Sequence, residues 1–178
     1  QEKEIADFVI AQNGNTEPVD YARMYVLGIE SGKEGFYGET TYEDYLKQLD
    51  NMSLEERQQF NTEYERKYKT SFVTDFVDHV AEHENLDEAH KTLFDKTISQ
   101  NFDMTPADRV RLEVLSGNKN YQAFEQMLSE MSAVERTIMR NEYNTVYGAD
   151  FDADFHEMIG QDEAQISKYT ELLRAEPT

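Results

Sequence analysis

Cysteine is absent from all 178 residues. That absence excludes a disulfide scaffold, a thiolate nucleophile and any cysteine-ligated zinc site, while leaving the redox compartment open. Proline occurs only at positions 18, 106 and 177. Two long stretches therefore run without the residue that interrupts helices, and strict apolar/polar alternation is scarce, so helices are favoured over short strands. No apolar run approaches the ~20 residues of a membrane span. The start, Gln1-Glu2-Lys3-Glu4, lacks both an initiator Met and the basic region of a signal peptide, so a fragment or processed end is expected. Localisation stays open, with a soluble, cytoplasmic or peripheral-membrane protein as the expectation.

Positive charge is also in short supply. Lys and Arg number 17 against 37 Asp and Glu, giving a net charge of −20 and a pI near 4.4. Direct nucleic-acid binding is excluded, since its affinity rests on clustered cations. Attraction to anionic lipid would need a bridging cation. A mean hydropathy of −0.80 points toward disorder, but 11 Tyr and 10 Phe at regular spacing supply what a folded core needs. The length suits one compact domain, or two small repeats sharing a core.

What is present in abundance is internal similarity. Matching 38–84 against 117–163, an offset of 79, gives 14 identities in 47 positions, where roughly three would arise by chance. Ser53-Leu-Glu-Glu56 and Ser132-Ala-Val-Glu135 are both capping boxes that open a helix. Phe60, Tyr64 and Tyr68 then sit four apart, as do Met139, Tyr143 and Tyr147, which is the stripe a helix buries. Ser71 and Asp150 are N-caps of a following helix that buries Phe72, Phe76 and Val80 or Phe151, Phe155 and Ile159. Shorter helices are expected over 42–51 and 121–130 before these, and over 86–99 and 163–173 after. Thr105-Pro106 opens another helix, with a counterpart over 19–30 after Pro18. Each repeat thus holds five helices.

The cadence Arg57, Tyr64, Tyr68, Phe72, Asp75-Phe76, repeated as Arg136, Tyr143, Tyr147-Gly148, Phe151, Asp154-Phe155, resembles the annexin motif R-x6-Y-x3-[YF]-G-x2-L-x2-D-L. Phe replaces Leu, and the glycine is kept only in the second repeat. The resemblance implies an all-α chain of two tandem annexin-like five-helix repeats in one compact domain: an N-terminal segment over 1–17, repeat one over 18–100 and repeat two over 101–178. Residues 1–12 would be the last helix of a preceding repeat. Annexins hold calcium in a G-x-G-T loop between their first two helices, completed by an acidic side chain near the end of the fourth. Carried over residue by residue, this points to Gly35, Tyr37, Gly38 and Thr40 as the loop, with His79 at the acidic position and Asp78 beside it. The second loop, Ser116-Gly117-Asn118-Lys119, introduces a cation and its acidic position falls on Met158, next to Glu157, so it is expected to stay empty. A helix-connecting turn with glycine at positive φ is the plainer reading of both loops.

Other motifs carry less. Asp87-Glu88-Ala89-His90 spells a helicase string but no phosphate loop accompanies it, and it opens a helix where carboxylates favour the dipole. Asp150, Asp152 and Asp154 mimic the start of an EF-hand, yet Phe155 stands at its turn glycine. His79-Val80-Ala81-Glu82-His83 resembles an inverted zinc-peptidase motif, in which His79 and His83 grip zinc from one helical face and Glu82 polarises a water. Histidines that favour a helix C-terminus are the simpler explanation. His156 is expected to be structural. The sequence therefore reads as a non-catalytic binding module, attached through calcium to an anionic membrane or to another protein. The alternative is a calcium-independent structural or interaction domain, and a zinc peptidase is a distant third.

Overall fold

The computed structural model describes residues 17–28, 41–117, 121–160 and 162–174. Among them are ten helices and no strand: α1 (Pro18–Val26), α2 (Tyr42–Asn51), α3 (Leu54–Tyr68), α4 (Phe72–His83), α5 (Glu88–Ser99), α6 (Pro106–Ser116), α7 (Tyr121–Glu130), α8 (Ala133–Tyr147), α9 (Phe151–Ile159) and α10 (Glu163–Arg174). The chain is all-α, and it divides into two compact units, residues 1–85 and 86–178.

Local chemistry explains where the helices begin. Ser53 Oγ accepts from the Glu56 amide at 3.2 Å and Glu56 returns to the Ser53 amide at 2.7 Å. Ser132 and Glu135 reproduce both bonds at the same distances. Thr41 and Thr105 build similar boxes with Asp44 and Asp108. Ser71, Asp87 and Asp150 cap α4, α5 and α9 through their side chains. Each cap satisfies amide donors that a helix start leaves unpaired. α3 and α8 both end on a left-handed residue, Lys69 at φ 62 and Gly148 at φ 57.

In the first unit α1 packs on α3 and α4. The expected helix over 19–30 is shorter than that: it stops at Val26, and Gly28 turns the chain at φ +70. Tyr64 is fully buried, edge-on to Phe72, which stacks on Phe76. In the second unit Tyr143, also fully buried, meets Phe151, which stacks on Phe155. Here α6 packs on α8, and α10 covers α7, α8 and α9.

One boundary differs from the sequence reading, which ends its first repeat at residue 100. α5 packs against α6 and α8 and so belongs to the second unit. The reason is polar: Lys96 donates to Asp108 at 2.7 Å and to Glu142 at 3.0 Å, while Thr97 is wholly buried. The proposed N-terminal helix over 1–12 lies outside the described residues.

Candidate functional site

The loop residues Gly35, Tyr37, Gly38 and Thr40, and Lys119 in the second loop, lie outside the described residues. What surrounds their attachment points is described. Tyr25, in the last turn of α1, lies 4.6 Å from the His79 ring and 4.5 Å from Tyr45. Because Arg23 meets Asp75 and Tyr25 meets His79, α1 and α4 run in the same sense and their C-terminal ends coincide. The 27–41 connection therefore leaves α1 at the end of the unit where α4 finishes. Burial first, then the negative charges of Glu84, Glu43 and Asp44, push the Tyr25 hydroxyl well above the usual range. Asp78 is exposed on the same part of α4.

The histidine motif is brought together only in part. His79 and His83 have ring centroids 4.6 Å apart, as their i, i+4 spacing requires. His79 is half-buried with Nδ1 lacking a hydrogen-bond partner, whereas His83 and Glu82 are exposed. Burial, and then the charge of His83, holds His79 below the ordinary imidazole range. Among the described residues no three acidic or histidine side chains stand close enough to hold a metal ion. The EF-hand-like aspartates disperse: Asp150 caps α9, Asp152 pairs with Arg140, and Asp154 accepts from Arg111 and Tyr143. His156, expected to be structural, is exposed because its neighbour Phe155 takes the core-facing position.

The most elaborate polar chemistry sits inside each unit, and half of it is unforeseen. Arg23 donates to Asp75 at 2.8 Å, and the Tyr64 hydroxyl donates to the same carboxylate at 2.9 Å. Arg111, Asp154 and Tyr143 repeat this at 3.0 and 2.8 Å. Beside it, fully buried Asp20 accepts from Tyr68 and Lys67, and fully buried Asp108 accepts from Tyr147, Lys96 and Gln100. Burial opposes ionisation of both aspartates. The hydrogen bonds from Lys67 and Tyr68, and from Lys96, Tyr147 and Gln100, outweigh it, so both carboxyls lie below their ordinary range. Arg57, buried, caps the end of α2 by donating to the Leu49 and Met52 carbonyls at 3.1 and 2.8 Å. These charges are held by multiple hydrogen bonds, with only the buried Nε atoms of Arg57 and Arg111 lacking an acceptor among the described residues, an arrangement suited to holding helices in one register.

Comparison with protein-family models, with curated proteins and with solved structures finds no significant match.

Proposed function

We propose that the chain is a non-catalytic, annexin-like binding module that attaches through calcium to an anionic membrane surface or to a partner protein. The observation that carries this reading is the end of the first unit, where the 27–41 connection starts beside the end of α4. The carboxylates of Glu43, Asp44 and Glu84 all act on Tyr25 there, and Asp78 is exposed to solvent. Calcium takes six to eight oxygen ligands. Described side chains alone do not form such a set, so the loop carbonyls of Gly35, Tyr37, Gly38 and Thr40 complete the proposed site, with Asp78 as its carboxylate. A bound divalent ion also reconciles a chain of net charge −20 with an anionic surface. Calorimetric titration of the full chain with calcium, with and without anionic vesicles, tests the reading. Calcium binding that vesicles strengthen and that Asp78→Asn weakens at least several-fold is expected; equal affinity in the variant and the parent refutes the assignment.

A second reading, a calcium-independent structural or interaction domain, has its own support. Val134, Ile138 and Val146 lie exposed along α8. The positions 79 earlier on α3 carry Glu55, Gln59 and Lys67. Apolar residues on one copy of an otherwise polar face are what a protein contact uses. A zinc peptidase built on His79, Glu82 and His83 ranks third, having two neighbouring imidazoles and no third ligand among the described residues.

A further inference from the structure

The second unit carries a cleft of 280 Å³ between α8, α9 and α10. Its floor is apolar, made of Phe155, Ile159, Ile166, Tyr169 and Leu173. The floor is also rigidly held, because Phe155 packs edge-on against both Phe124 and Tyr169. Arg140, Asp152, His156, Thr170 and Arg174 complete the lining. Arg140 is engaged by Asp152 and lies over the Phe151 ring. Arg174, exposed in the last turn of α10, has no acidic partner among the described residues. In a chain with 37 carboxylates and 17 cations, an arginine with no acidic partner among the described residues at an apolar opening is out of keeping with its surroundings.

The internal repeat supplies a second, independent observation. Phe155 and Ile159 correspond to Phe76 and Val80, so that part of the floor recurs in the first unit, while Ile166, Tyr169 and Leu173 stand on α10. Arg140 and His156 correspond to Asn61 and Val77. Arg140 is therefore particular to the second unit and is not demanded by the packing that Phe155 and Ile159 share with Phe76 and Val80. We propose that this cleft binds an amphiphilic carboxylate, its unbranched apolar body on the Phe155, Ile159 and Ile166 floor and its head group on Arg174. A guanidinium matches a carboxylate in a two-point hydrogen-bonded geometry, and an apolar recess with few convergent polar groups is the usual form of a small-ligand site.

The test uses the full chain and three probes of equal chain length, decanoate, decanol and decyltrimethylammonium, each below its micelle concentration. Binding is followed by amide chemical shifts and calorimetry. Decanoate is expected to bind at one saturable site, with shifts concentrated on α9 and α10, about tenfold more tightly than either other probe. Arg174→Gln should weaken decanoate about tenfold, equivalent to losing one charge-assisted contact, and leave decanol unchanged. Ile166→Trp, which fills the recess, should abolish binding while the helical circular dichroism persists. Decanol binding as tightly as decanoate, an Arg174→Gln variant with parental affinity, or no saturable binding would each overturn the proposal.

Discussion

His79 shows how a single side chain couples acidity to folding. It is half-buried against Tyr25, with His83 behind it and Glu82 beside that ring. Glu43, Asp44 and Glu84 act on Tyr25 from the neighbouring elements. Its folded-state pKa lies below the unfolded value of 6.5, so the folded chain prefers the neutral ring. The stabilisation is fully present above the unfolded pKa and is lost as pH falls through the folded one. Denaturant midpoints measured at about pH 7.5 and pH 5.5 should therefore fall in the parent and change less in His79→Gln. An equal fall in both proteins would assign the acid-sensitive group elsewhere. Asp20 and Asp108, also held below their ordinary range, act in the same direction but only in the more acidic carboxylate region.

At the scale of helices, the capping boxes carry the clearest expectation. Ser53→Ala and Ser132→Ala should each cost about 1 kcal/mol, because each removes the acceptor for one orphan amide of α3 or α8. Thermal melts that neither substitution moves would show that these serines do not set the helix starts. The caps were legible in the sequence because Ser and Glu three apart have one physical use before an apolar stripe. The aromatic stripe was legible for the same kind of reason, its spacing of four being the period of a helix. Asp20, Arg23, Asp108 and Arg111 were not. Pro18-x-Asp20-x-x-Arg23 and Pro106-x-Asp108-x-x-Arg111 do recur, but 88 positions apart instead of 79. A comparison at one fixed offset passes over them, because the connection that follows α1 is longer than the one that follows α6. The packing of α5 with the second unit was hidden by different physics: Lys96 reads as a surface cation until Asp108 and Glu142 are brought to it. Nothing in the periodicity of α9 marked His156 as exposed, since it sits directly beside the buried Phe155.

Across the whole chain, the two connections turn the duplication into an experiment in polymer physics. Fifteen residues, 27–41, join α1 to α2, whereas four, 117–120, join α6 to α7. Closed as a plain loop, with closure entropy scaling as (3/2)RT ln n, fifteen residues would cost the first unit about 1 kcal/mol more than four cost the second. Excising residues 29–37 should accordingly raise the unfolding free energy by roughly 0.8 kcal/mol, read from urea denaturation, while removing any calcium response. A variant that instead loses stability would show that the long connection contributes contacts worth more than its entropy. On the expected outcome, residues 29–37 are chain that the first unit's own folding does not use, so a substitution within them would change whatever they bind without a matching change in stability.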